Sequence, residues 1–148
     1  MRGVLFLGGW TMTCPLCDAP GGAVLWQDDF CRVVRVTDTP DYPGFCRVIL
    51  NRHVREMTDL VPAERSRLMM MVMKTEQIVR DTMQPDKINL ASLGNVVPHL
   101  HWHVIPRFAD DPHFPNPVWG AKRRDTPRAA PADLDTRLAQ AFAQAMRP

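Results

Sequence analysis

The chain has 148 residues, 45% of them hydrophobic and 23% charged, with a formal net charge of +2. That length suits one domain with a sizeable core, and so small a net charge gives little field for drawing in nucleic acid. No run nears the roughly 20 apolar residues of a membrane span, so a membrane-free, cytoplasmic protein is expected.

Residues 1–13 read as an N-terminal extension. Met1 to Trp10 carries one basic residue, a very short apolar run and no small-x-small cleavage site, unlike a secretory signal, and Met12 offers a second start. Cys14-Pro15-Leu16-Cys17 opens the ordered part. In a reducing compartment such a pair is a metal pair or two free thiols rather than a disulfide. Asp18 to Gly22 is a turn by composition.

Ala23 to Gln27, Phe30 to Val36 and Phe45 to Leu50 have the β-branched, apolar character of strands. Cys31 lies in the second as a small hydrophobe. The loop Thr37 to Gly44 separates the second strand from the third, which suggests antiparallel pairing. Pro62 to Gln84 is the one long helix. Pro62 suits its first position and Glu64 its first turn, whereas Val61 is a poor cap, so Thr58 or Asp59 should cap a preceding turn.

Leu68, Val72, Thr75, Val79 and Met83 fall at helical spacing, with Met69, Met73 and Ile78 beside them as core filler. Pro85 ends the helix and Lys87 to Leu93 forms a fourth strand. After Arg107 the chain is proline-rich, with Trp119 as its expected anchor, His113 on the surface and Lys122-Arg123-Arg124 as a solvated basic turn. Leu134, Leu138, Phe142 and Met146 mark a C-terminal helix with one apolar stripe.

The most unusual stretch is Pro98-His99-Leu100-His101-Trp102-His103-Val104-Ile105-Pro106. In a strand, successive side chains point to opposite faces. His99, His101 and His103 should then share one face, with Leu100, Trp102 and Val104 on the other as core. Three aligned imidazoles pack poorly but ligate metal and handle phosphate well. An imidazole on a fixed strand can attack phosphorus and split one hard substitution into two easier ones, while neighbouring donors neutralise the phosphoryl oxygens.

His99-Leu100-His101-Trp102-His103-Val104-Ile105 resembles the motif of the histidine-triad (HIT) family, in its zinc-containing nucleotide hydrolase/transferase type. The order of helix, Asn-bearing strand, glycine loop and histidine strand is also similar, as is Phe45 to His53, so the likeness covers about residues 14–108. Residues 109–148 are then a proline-rich tail and helix. The resemblance implies an α+β fold: an antiparallel sheet of about five strands packed by helices, with one long central helix and a C-terminal helix. It implies a homodimer.

It further implies cleavage at the α-phosphate of a dinucleoside polyphosphate, phosphoramidate or related conjugate, with a purine nucleotide as partner. By the same resemblance His101 is the nucleophile and His103 donates to the phosphate. Asn95 faces the phosphate, Asn89 lies near phosphate and ribose, and Asp38 is the acidic ribose contact.

Zinc-containing relatives use a cysteine pair, an upstream histidine and the first triad histidine. Carried over, these are Cys14, Cys17, His53 and His99, a closed set that implies structural rather than catalytic Zn2+. Many family members place Ser or Thr two residues after the loop glycine, where this chain has Val96. That favours a stable leaving group, such as a nucleotide phosphate, over an amine. It also leaves open an alternative: a nucleotide-binding or interaction protein with little turnover. A sugar-nucleotide transferase with similar histidines needs a longer, two-repeat chain.

Overall fold

The structure is a computed structural model that describes residues 13–148; residues 1–12, nearly all of the expected extension, lie outside the described part. Its elements are α1 (Pro15–Asp18), β1 (Ala23–Gln27), β2 (Cys31–Arg35), β3 (Cys46–Leu50), a 3-10 turn (Met57–Asp59), α2 (Pro62–Met83), β4 (Lys87–Ala91), β5 (His101–Arg107) and α3 (Leu134–Ala145). The five strands form one sheet in the order β1-β2-β3-β5-β4. Every neighbouring pair is antiparallel. The expected α+β architecture is present, with α2 as its long central helix.

Local chemistry sets the helix limits. Val61 makes no side-chain cap, but Pro62 occupies the first helical position and Glu64 the first turn. The capping device sits one element earlier, where the Glu56 N–H donates to the Asp59 carboxylate at 3.1 Å. At the other end Gln84 turns left-handed, with φ 50°, and Pro85 follows. Between these limits α2 buries Leu68, Met71, Val72, Thr75, Ile78 and Val79. Met73, expected as core filler, is exposed, whereas Met71 is buried. The packed stripe is simply rotated slightly towards Met71.

Strand register divides the sheet into two working faces. Val33 pairs with Val48, Val48 with Trp102, and Cys46 with Val104. These residues, with Cys31, Leu50 and Leu100, pack against α2 and against Leu134, Leu138 and Phe142 of α3. Each fully buried aliphatic side chain contributes about 1.5–3 kcal/mol. On the opposite face Val34 pairs with Arg47, Arg47 with His103, and Ile49 with His101. The rigidity of the core face is what fixes the positions of the polar one.

The histidine strand begins later than the alternation predicts. β5 starts at His101, and His99 lies in the turn before it. The cause is local pairing. The Leu100 N–H donates to the Val54 carbonyl at 2.7 Å, and the Leu50 N–H to the Leu100 carbonyl at 3.2 Å. Those bonds hold Leu100 between the last residue of β3 and Val54 in the segment after it, so the regular ladder of β5 starts only at His101.

The proline-rich tail is fastened by a buried ion pair that the sequence does not advertise. Arg107 and Asp111 have side chains only 2% exposed, and the Arg107 Nε–H donates to Asp111 at 2.7 Å. Asp111 also accepts from the backbone N–H groups of Phe108, His113 and Phe114. Arg124, expected in a solvated turn, instead donates to the carbonyls of Asp111 and Phe114.

Burial alone raises the Asp111 pKa, but Arg107 and the three N–H donors outweigh it and hold the carboxyl below its ordinary value. Its stabilising contribution is therefore present above the unfolded carboxyl pKa and is lost as pH falls through the depressed folded value. Asp111→Asn leaves Arg107 buried without its counter-charge and should destabilise the fold by about 3–5 kcal/mol, measured by urea unfolding at neutral pH. An unchanged midpoint would remove this role.

Candidate active site and metal-ligating cluster

Cys14 is the N-cap of α1 and Cys17 lies within its single turn, which brings both thiols to one side of a short Pro-initiated helix. A buried arginine holds this turn on the sheet. Arg32 donates to the carbonyls of Leu16, Ala19 and Pro20 and to the side chain of Asn51. The two thiols thereby meet His53 and His99. Four ligand atoms, one from each of Cys14, Cys17, His53 and His99, lie within 4.8 Å of one another.

The spacings suit a tetrahedral ion. Cys14 Sγ and Cys17 Sγ are 3.4 and 3.5 Å from His99 Nδ1, and Cys17 Sγ is 3.4 Å from His53 Nδ1. Metal–sulfur bonds of about 2.3 Å and metal–nitrogen bonds of about 2.0 Å at tetrahedral angles give sulfur–nitrogen edges of about 3.5 Å. The His99 tautomer fits too. Its Nε2–H donates to the Leu50 carbonyl at 2.6 Å, which leaves the Nδ1 lone pair facing the thiols. Such a backbone partner on the far ring nitrogen is the usual support of a ligating histidine.

His101 is fixed in the opposite tautomer. Its Nδ1 lies 2.5 Å from the His99 carbonyl. A carbonyl can only accept, so Nδ1 carries the proton and Nε2 keeps its lone pair. Burial chiefly lowers the His101 pKa, and nearby Arg47 adds to this, against the opposing effect of the His99 carbonyl. His103 is pushed down to about 3 by burial, then by His101 and Arg47. Both rings are thus neutral at physiological pH. Their centroids are 4.8 Å apart, edge to face.

These rings line a cleft of ≈ 680 Å³ whose rim includes Asp38, Arg47, Asn95 and Val96. The cleft therefore unites four expected residues: His101, His103, Asn95 and Asp38. Asn89 is placed elsewhere. Its side-chain oxygen accepts from Arg107 at 2.7 Å, and it lines an adjoining cleft with Pro115 and Trp119. Val96 is almost fully exposed at the cleft mouth, in the loop turned by Gly94 at φ +72°. A left-handed φ there favours glycine.

Trp119, expected to anchor the tail, is half exposed, and its ring stands against His103 with centroids 5.0 Å apart. His113 is half-buried beside the Tyr42 hydroxyl rather than free on the surface. Sequence reading passed over Arg47 and Arg32. The signal was available, since an arginine inside the apolar run Cys46 to Leu50 must face away from the core.

Comparison with known proteins bears on the family and the fold. The sequence model of the HIT domain matches residues 21–110. A Mycobacterium tuberculosis protein named AP-4-A phosphorylase is 31% identical over 89 residues, which cover 56% of this chain and 46% of that protein. A Schizosaccharomyces pombe protein named bis(5'-nucleosyl)-tetraphosphatase (asymmetrical) is 34% identical over 73 residues, covering 46% of this chain and 40% of that one. The matched stretches thus span less than half of these curated relatives.

Among solved structures, a histidine triad protein from Bradyrhizobium japonicum superposes with a TM-score of 0.69 at 27% identity, covering 84% of this chain and 90% of that one. One from Marinobacter aquaeolei gives 0.69 at 26% identity, covering 84% and 91%. The matched residues include β1 to β5 and the histidine strand. On that ground the chain belongs to the HIT domain family.

Proposed function

We propose that the cleft cleaves a purine nucleotide conjugate at its α-phosphate, with a dinucleoside polyphosphate as the substrate class, through a His101-nucleotidyl intermediate. One observation carries this reading: the His99 carbonyl holds the Nδ1 proton of His101, so that Nε2 is unprotonated within a cleft of nucleotide size. The names of the Mycobacterium tuberculosis and Schizosaccharomyces pombe relatives support the substrate class.

In the first step the Nε2 lone pair forms a bond to the α-phosphorus. The phosphorus–oxygen bond to the leaving phosphate breaks, and its electron pair departs with that oxygen. In the second step the oxygen of water, which gives up a proton to solvent, or an oxygen of inorganic phosphate bonds to phosphorus; the nitrogen–phosphorus bond breaks and Nε2 recovers its lone pair. His103 and Asn95 hold the non-bridging oxygens and Asp38 the ribose. A leaving nucleoside phosphate is stable as an anion, which suits a cleft with Val96 where a hydroxyl would otherwise help.

A structural Zn2+ bound by Cys14, Cys17, His53 and His99 supplies no chemistry in these steps; it ties α1 to the sheet. The reading also carries the family's pairing of two chains. Among the described residues no helix is long and apolar enough to cross a membrane.

Val96 favours one second reading, a nucleotide-binding protein that hardly turns over. A panel separates the two. Diadenosine polyphosphates and an adenylated amine are incubated with the protein, with and without inorganic phosphate, and products are resolved by chromatography. The expected result is nucleotide release from the polyphosphates, faster than from the amine conjugate. Binding of AMP with no product from any substrate would overturn catalysis in favour of binding.

A further inference from the structure

Three arginines lie in or under the sheet face that carries the cleft, and their hydrogen bonding differs sharply. Arg32 spends its donors on three carbonyls and an asparagine oxygen. Arg107 spends its own on Asp111, Asn89 and the Asn116 carbonyl. Both are structural, because the protein itself satisfies them. Arg47 is different. Among the described residues it makes one hydrogen bond, from Nη1 to the Gly21 carbonyl at 3.2 Å, and its nearest carboxylate oxygen there, on Asp38, is 3.9 Å away. Its Nε is buried with no acceptor among the described residues.

A guanidinium has five N–H donors and stays charged. Leaving such a group half-buried and short of acceptors is costly, so its position calls for an acceptor. The strand register says which one. Arg47 is the direct cross-strand partner of His103, and Ile49 that of His101. Cross-strand neighbours have Cβ atoms about 4.5–5.5 Å apart, so the guanidinium reaches over the same floor as the two imidazoles. Among the described residues that line this cleft Arg47 is the only lysine or arginine, and Asp38 the only acid.

We propose that Arg47 is the anion-holding residue of the cleft, donating to the non-bridging oxygens of the phosphate that His101 and His103 face. This rests on the reading of the cleft as a nucleotide site and adds to it the charge selection. The site then discriminates by phosphate, not by base: a nucleoside monophosphate binds and the uncharged nucleoside barely does. Charge-assisted bonds from a planar guanidinium to phosphate are among the strongest hydrogen bonds a protein makes.

Calorimetric titration of the full chain with AMP and with adenosine tests this, on the wild type, Arg47→Gln and Arg47→Lys. Glutamine can still donate to the Gly21 carbonyl but has no charge; lysine keeps the charge and loses the planar fork. The readout is the ratio of the two dissociation constants. Arg47→Gln should weaken AMP by roughly 10- to 100-fold and leave adenosine nearly unchanged. Arg47→Lys should keep a ratio between those of the wild type and the glutamine variant.

A glutamine variant with the wild-type ratio would overturn the proposal. So would equal weakening of AMP and adenosine, a lysine ratio no better than the glutamine one, or a wild type that does not prefer AMP. Absence of products on the substrate panel, with the ratio behaving as stated, sinks the catalytic reading alone.

Discussion

His101→Ala lowers turnover of a diadenosine polyphosphate by on the order of 10⁴-fold or more, with the fold preserved. Removing an attacking group forfeits the two-step route altogether, and losses of this size are what nucleophile deletions cost in other enzymes. The structure makes the fold-preserving half of the expectation specific. His101 sits on the polar face of β5, opposite the side that packs α2 and α3. The His99 carbonyl that it leaves behind can be met by water at the cleft.

The measurement is steady-state turnover together with thermal melting and AMP binding. A His101→Ala protein that melts normally and keeps wild-type turnover has another nucleophile. The intermediate gives a second, independent readout. Phosphoramidates survive alkali and break in acid, so alkaline quenching during turnover should show a nucleotidyl mass on the wild-type peptide containing His101. His103→Ala should still form this adduct, more slowly, because His103 is placed to assist and not to attack.

Much of the fold is legible in the sequence. The strand residues Cys31 to Arg35 and Cys46 to Leu50 announce themselves by β-branched apolar runs, and α2 by its terminal signals at Pro62 and Pro85. The core faces followed from alternation: Leu100 and Val104 are buried and Trp102 packs against them. What alternation misplaced was His99, because a periodicity of two holds only while the ladder continues, and here the chain pairs with Val54 instead. The misplacement has a chemical consequence. Off the strand, His99 turns its Nδ1 towards two thiols and offers its carbonyl to His101.

Other parts of the site left little trace in the sequence. Asp111 is one of two adjacent aspartates in a proline-rich run, and nothing local tells that its partners are Arg107 and three backbone N–H groups. The resemblance alone suggests a phosphate- and ribose-side place for Asn89; its oxygen accepts from Arg107, a contact that only the register of β4 on β5 reveals. Arg47 and Arg32 sit on neighbouring strands of one face, and composition cannot say which is satisfied by carbonyls and which is not. The difference arises from α1 and the two residues after it, whose Leu16, Ala19 and Pro20 carbonyls lie over Arg32.

The metal cluster carries the second large effect, on stability. The purified protein should contain about one zinc per chain, and Cys17→Ser should lose it together with roughly 3–4 kcal/mol of stability, a fall of about 10 °C in melting temperature. Outside Arg32's hold, the segment carrying Cys14 and Cys17 has little else to keep it down. α1 is one turn, and Leu16 is its single buried side chain. A metal held by these four side chains would join that turn to the segment after β3 through His53 and to the residues before β5 through His99.

Cys31→Ala is the matched control, since Cys31 is buried in the core away from the cluster and should keep the metal. Activity should follow the metal by a defined route. His99 lends its carbonyl to His101, so a loosened His99 lets His101 change tautomer and turn its lone pair away from the cleft. In the Cys17→Ser protein kcat should therefore fall more than AMP affinity, because the phosphate contacts of the cleft do not run through His99. A zinc-free wild type that melts and turns over as the loaded protein does would show the four residues to be neighbours without a metal function.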